Sequence, residues 1–308
     1  MNNQSEPMGM QWTRDHEPDH EKIRAYQIAL IITLAGNISL AAGKGLASYV
    51  TGSAALYADT ANSISDVVYS LALILGIWMA LRPPDLSHPQ GHARFEPLVG
   101  LVVAAMMGIA GYEALRTSFQ RFLRGGNVIE LNLPIIILLI SAALKSGMYF
   151  IIKKMAEKAG SPSLRVSAMD NLSDVLASLA AFLGILGSNF LHPLLDPFAG
   201  LLVSLWIFKV AFDAGKENLM YLTGAGADES LRQKIILTAS QVEGVKQVHH
   251  MMSDYVGPKL IVDMHINLPG DVPLDDVHDI EDRVVDALEA LPEVDRAYVH
   301  IEPFRDEE

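Results

Sequence analysis

The chain has 308 residues, 50% of them hydrophobic, a mean hydropathy of +0.26 and 19% charged residues, which is the composition of a polytopic membrane protein rather than a soluble one. Its net charge of −13 is uneven: residues 226–308 hold 19 acidic and 7 basic residues, the rest of the chain 17 and 16, so an acidic, water-soluble domain is expected at the C-terminus. That acidity argues against nucleic acid or anionic lipid headgroups as partners, and the absence of cysteine excludes disulfides and thiolate metal sites.

In chain order, residues 1–24 are polar, with His16, His20 and several acids, carry no signal-peptide pattern, and are expected to form a disordered cytoplasmic tail. Residues 25–222 then read as a six-span transport domain, an all-α membrane bundle. The spans are expected at 26–50, 54–81, 95–122, 133–152, 164–186 and 196–221, each near or above the roughly 20 residues a bilayer requires. The first is rich in small residues (Gly36, Ala41, Ala42, Gly43, Gly45) that suit close helix packing, and its Lys44 is expected to pair with a carboxylate. A short turn, Thr51-Gly52-Ser53, leads into the second span, and Pro83-Pro84 ends it.

Basic residues concentrate on one set of loops (Arg14, Lys22, Arg24, Arg82, Arg94, Lys153, Lys154, Lys158, Arg165, Lys216), which puts both termini on the cytoplasmic side. In that arrangement the second and fifth spans run antiparallel.

Each of those two spans carries a polar string. Asn62 and Asp66 stand four residues apart in the second, Asp170 and Asp174 four apart in the fifth, and on a helix that spacing puts each pair on one face. Asp66 lies 13 residues past Ser53 and Asp174 11 past Ser163, so at about 1.5 Å per residue both reach mid-bilayer and could enclose one cation. The competing reading is that these groups bond a neighbouring helix or pair with Lys44 or Lys145. Asp59 extends the stripe and suits a packing or access-path role better than a ligand role.

The loop after the second span presents Asp85, His88 and His92 at i, i+3, i+7, followed by Arg94 and Glu96. Imidazole and carboxylate are ligands for zinc and similar ions; a solvated polar loop is the alternative. Beyond residue 225, apolar periodicity predicts helix, strand, strand, helix, strand at 228–241, 245–252, 258–268, 273–290 and 294–302. Five of the ten histidines fall there, His249, His250, His265, His278 and His300, close in sequence or pattern to Asp254, Asp263 and Glu302.

Three strings together resemble the cation diffusion facilitator family: Gly52-Ser53-Ala54-Ala55-Leu56-Tyr57-Ala58-Asp59 leading to Asn62 and Asp66; His88-Pro89-Gln90-Gly91-His92-x-Arg94-Phe95-Glu96; and Asp170-Asn171-x-x-Ser173-Asp174. The ending Val299-His300-Ile301-Glu302-Pro303 fits as well. The resemblance covers nearly all of the chain beyond the tail. It implies a homodimeric, proton-coupled exporter of divalent cations with a cytoplasmic α+β domain of the ferredoxin or metallochaperone kind, α-β-β-α-β. It implies a transport site of Asn62, Asp66, Asp170 and Asp174, the three carboxylates also exchanging the ion for protons. A loop site would use Asp85, His88 and His92, and C-terminal sites would draw on His249, His265, His278, His300 and Glu302.

Many zinc members of the family are similar except for a histidine where Asn62 or Asp170 stands here. An all-oxygen site lessens the disadvantage of manganese in the affinity series of divalent metals, and the Asn-Asp, Asp-Asp set resembles the manganese-exporting branch. Mn2+ is therefore the expected substrate, with Zn2+ or Fe2+ the alternatives and a bacterial inner membrane the expected location. A membrane-anchored metal sensor is a further alternative. No His-Glu-x-x-His, Gly-x-Ser-x-Gly or Walker-type string is present, so an enzyme or ATP-driven pump is not expected.

Overall fold

The computed structural model describes residues 12–13, 19–51, 54–125 and 133–304, with the side chains of 51, 54–58 and 133–135 excepted. It divides into two compact units, Met1–Asn218 and Leu219–Glu308.

Among the described residues, six helices have membrane-spanning length and apolarity and build the first unit, the last running to its boundary and beyond: α1 His20–Thr51, α2 Ala54–Ala80, α3 Phe95–Leu123, α4 Leu133–Ala159, α5 Pro162–Phe190 and α6 Leu195–Leu222. Most of the expected tail, and the Gly52-Ser53 turn, lie outside the described residues. The tail expectation fails at its end, because His20 to Arg24 are the start of α1. Asp19 makes the difference: its carboxylate accepts the Lys22 backbone N–H at 2.9 Å, supplying a cap to an otherwise unsatisfied helix start.

Helices α4 and α5 also run further than hydropathy alone indicates, to Ala159 and from Pro162, since a helix does not stop where the apolar window does. The turn between them is written in Gly160-Ser161-Pro162. Gly160 adopts φ +61°, the left-handed conformation that ends a helix without side-chain strain. Ser161 caps α5 by accepting the Leu164 N–H at 3.1 Å, and Pro162 fills the first turn, where its missing N–H costs nothing.

Helix α4 packs against both α1 and α5, α1 against α2, and α3 against α2 and α5. The buried side chains gather on the faces these helices share, among them Leu73 and Ile77 of α2, Val103 and Met107 of α3, Ile152 of α4 and Leu164 of α5. Outward faces are apolar too, as at Leu75, Phe150 and Phe212, each more than half exposed, which suits a bundle solvated by lipid.

The second unit has the expected α-β-β-α-β order: α7 Glu229–Ser240, β1 Gln247–Val256, β2 Lys259–Leu268, α8 Leu274–Glu289, β3 Val294–Pro303. The sheet order is β1-β2-β3, the first pair antiparallel and the second parallel, with α8 as the crossover. Leu260, Val262, Met264, Ile266 and Leu268 alternate into the core with Ile280, Val284 and Leu288 of α8 and Ile235 of α7. Period two on the strand and spacing of four on the helix place these residues on single faces. The opposite face of β2 therefore presents Asp263, His265 and Asn267.

Candidate functional site

The polar stripe of α2 faces a pocket of about 210 Å3 inside the membrane unit. Among its lining side chains are Lys44 of α1, Asp59, Asn62 and Asp66 of α2, Lys145 of α4 and Asp174 of α5; there is no histidine. Of the four expected transport ligands, Asn62, Asp66 and Asp174 line this pocket. Asp170 sits one turn earlier on α5, partly buried and outside the lining, while remaining in electrostatic contact with Lys145, Asp66 and Asp174.

Two lysines shape the pocket's charge. Lys44 pairs with Asp59, Nζ to Oδ1 2.8 Å, so the intramembrane lysine of α1 finds its carboxylate within the pocket wall. Lys145 bridges two helices: its Nζ donates to Asp66 Oδ2 at 3.1 Å and lies 2.7 Å from Asp174 Oδ2. The lysine side chain is only 6% exposed, a depth at which a lone charge would be prohibitively costly and a paired one is sustained.

Asn37, which sequence patterning does not single out, steadies Asp66 from α1. Its Nδ2 donates to the Asp66 carbonyl at 3.3 Å and to Ser70 Oγ at 2.9 Å, and Ser70 in turn donates to the same carbonyl at 2.7 Å. The signal for it was a buried amide one face away from small residues, which is too common in membrane helices to read alone.

Among the described residues, two groups of histidine and carboxylate ligands bring their donor atoms within 4.8 Å of one another. The first is Asp85, His88 and His92. Asp85 Oδ1 lies 3.5 Å from His88 Nδ1 and Oδ2 3.4 Å from His92 Nε2. The backbone N–H of His88 donates to the carboxylate at 2.7 Å and that of Ser87 at 2.9 Å, which holds Asp85 below the usual carboxylate range and keeps it an anion. His92 is buried, and its Nδ1 has no hydrogen-bond partner among the described residues.

Glu96 ends the same sequence string but does not join this group. It is buried, accepting from Tyr26 Oη of α1 at 2.6 Å, from Ser163 Oγ at 3.2 Å and from Ser161 Oγ, and so ties α1, α3 and α5 together.

The second group is His249, His265 and Glu302 on the open face of the sheet. Glu302 Oε2 lies 3.5 Å from His249 Nε2 and its Oε1 3.3 Å from His265 Nδ1. His300 joins it, with its ring centroid 4.8 Å from that of His265. The His250 ring lies 4.8 Å from that of His265, beside the group whose converging donor atoms are those of His249, His265 and Glu302. Its closeness comes from a register shift in β1 between Val248 and His250, an extra residue that leaves His249 and His250, adjacent in sequence, both exposed beside β2. Strict alternation would have sent one of them to the core face. His278 stands apart: it is on the exposed face of α8, 3.3 Å from Asp282 one turn on, and contributes nothing to this group. Its place is set by the helix period, which turns Ile280 and Val284 inward and His278 out.

An acid-lined pocket walled by α1, α2, α4 and α5 within a bundle of membrane-spanning helices, joined in sequence to a histidine-bearing α/β unit, points to an integral membrane cation carrier. Residues 30–223 match the cation efflux transmembrane domain and residues 227–304 the cytoplasmic domain of cation efflux proteins. The chain belongs to the cation efflux, or cation diffusion facilitator, family: it is a transporter of divalent metal cations and not an enzyme. A transporter of Methanocaldococcus jannaschii is 35% identical over 91% of this chain and 99% of its own. Metal tolerance protein 2 of Oryza sativa is 34% identical, covering 87% of this chain and 76% of its own. Manganese efflux system protein MneS of Bacillus subtilis is 26% identical over 92% and 98%.

Proposed function

We propose that this protein exports Mn2+ from the cytoplasm in exchange for protons, working as a homodimer in a bacterial plasma membrane with both termini cytoplasmic. Residues 25–222 would form the transport domain and 226–308 a regulatory and dimerising domain. The observation that carries the reading is the donor chemistry of the intramembrane pocket: Asn62, Asp66 and Asp174 offer only oxygen, with Asp170 one turn away. Oxygen donors forgo the nitrogen and sulfur preference that favours zinc and copper over manganese. The name of MneS as a manganese efflux protein supports the same substrate.

In this mechanism the carboxylates replace the ion's water on the cytoplasmic side. On the opposite side, protonation of any one of Asp66, Asp170 and Asp174 removes a negative charge from the ion's surroundings and loosens it. Protons moving inward offset the cost of carrying positive charge outward, about 2.3 kcal/mol per charge per 100 mV. The loop group Asp85, His88, His92 and the sheet group His249, His265, His300, Glu302 would bind metal outside the membrane, where cytoplasmic concentration is sensed.

The test is metal uptake into sealed vesicles carrying the purified protein under an imposed pH gradient, with Mn2+, Fe2+ and Zn2+ compared for wild type and Asp66→Ala. Gradient-dependent uptake dominated by Mn2+ and lost in the variant is expected. Uptake dominated by Zn2+ would overturn the oxygen-donor argument while leaving the family intact. Absence of flux for all three ions would favour a membrane-anchored sensor.

A further inference from the structure

We infer that Lys145 is a tethered competitor of the transported metal, its ammonium and the divalent ion taking the same oxygen atoms of Asp66 and Asp174 in turn. The inference rests on reading those two aspartates as transport ligands. Lys145 Nζ is 3.1 Å from Asp66 Oδ2 and 2.7 Å from Asp174 Oδ2. A first-row divalent ion binds a carboxylate oxygen at about 2.0–2.2 Å. An ion held by both of these oxygens therefore lies in the gap the ammonium fills. Sterically and by like-charge repulsion the two cations exclude one another from it.

The two lysines of the pocket differ in a way that bears on function. Lys44 is matched by one carboxylate, Asp59, 2.8 Å away on the adjacent helix, which is the ordinary form of a structural intramembrane pair. Lys145 instead bridges α2 and α5, the helices that carry the ligands, from a third helix between them. Its four-carbon stem makes the ammonium movable. The pocket wall also contains Ser141, one turn before Lys145 on α4, along with Ser178 and Asp59, polar surfaces toward which a displaced ammonium can swing.

Charge counting explains what such a competitor does. Asp66, Asp170 and Asp174, ionised, carry three negative charges; a divalent ion alone would leave one, and a divalent ion with Lys145 nearby leaves none. With the metal released, the ammonium adds to the incoming protons in neutralising the aspartates, so the metal-free, proton-loaded return carries less bare charge through a low-dielectric interior. Lys145 thus lowers metal affinity and speeds the metal-free return. It is a residue of the transport cycle, not only a strut.

The full-length protein with Lys145→Met and with Lys145→Arg separates these roles. Three quantities are measured: Mn2+ binding to the purified protein, exchange of labelled for unlabelled Mn2+ across vesicles, and net gradient-driven uptake. Lys145→Met is expected to bind Mn2+ about tenfold more tightly, to retain exchange, which needs no metal-free return, and to lose most net uptake. Lys145→Arg, whose planar fork grips two carboxylates more firmly, is expected to bind Mn2+ more weakly than wild type. Opposite signs for the two variants support the competitor. Equal weakening in both, or no change in either, makes Lys145 a structural bridge and overturns it. Should Lys145→Met not fold, the arginine variant decides alone, and binding as tight as wild type or tighter overturns the inference. Wild-type protein that binds no Mn2+, Fe2+ or Zn2+ removes the transport-site reading itself, and this inference with it.

Discussion

At the scale of single residues, the membrane unit is held by a few fully used polar groups. Glu96 accepts from three hydroxyls, Tyr26 of α1, Ser163 of α5 and the α5 cap Ser161, so most of its carboxylate's acceptor capacity is met inside the protein. Removing it leaves Tyr26, Ser161 and Ser163 without their acceptor in a buried place, each such loss costing about 1–3 kcal/mol. Glu96→Ala is therefore expected to lower the thermal unfolding temperature of the detergent-solubilised protein by several degrees, with Glu96→Gln intermediate because its amide oxygen still accepts. An unchanged melting temperature in the alanine variant would mean the three donors find other partners. His92, four residues earlier, answers to different chemistry, an imidazole held against Asp85 and stacked on Phe95 with centroids 5.8 Å apart.

At the scale of elements, small residues set how closely helices approach. Gly184 of α5 faces the start of α6: a Cβ there would lie 2.8 Å from the Asp196 Cα, a backbone atom that cannot rotate away. Gly184→Ala should separate the two helix ends at a cost of about 1–3 kcal/mol. The measurement is thermal unfolding in detergent, alongside Gly108→Ala, whose added methyl would meet nothing within 4 Å among the described residues and should be nearly silent. Equal melting temperatures for the two variants would contradict the packing described. On the sheet, the extra residue in β1 sets side-chain placement, bringing His249 and His250 together beside His265.

At the scale of the whole molecule, an almost neutral membrane unit is joined to a strongly acidic cytoplasmic-type domain carrying half of the histidines. On the proposed reading, the acidic surface would raise the local concentration of divalent cations, and the imidazoles with Glu302 would bind them. The double variant His265→Ala, His300→Ala is expected to raise the metal concentration needed for half-maximal transport several-fold, leaving the maximal rate within about twofold of wild type. His278→Ala should leave both unchanged. If the double variant keeps the wild-type metal dependence, this domain serves dimerisation without sensing.

Much of this was legible in the order of residues. Six apolar runs, the period-two pattern of β2 and the amphipathic α8 are local properties, because lipid solvation and one-sided burial impose their periods directly on the chain. The i, i+4 pairs of α2 (Asn62, Asp66) and α5 (Asp170, Asp174) and the spacing of Asp85, His88 and His92 are local for the same reason, so the candidate ligands could be named residue by residue. What tertiary structure decided was which distant charges meet. Whether Lys145 pairs with Asp66, with Asp174 or with both depends on how three helices are rotated and packed, and no spacing within one helix encodes that. The separation of Glu96 from the loop histidines, the exclusion of His278 and the placement of His250 beside His265 follow likewise from contacts between elements far apart in the chain. Sequence determined the candidate ligands and the spans that carry them, since those follow from local periodicity; packing alone determined which charges they meet, Lys145 beside Asp66 and Asp174 among them.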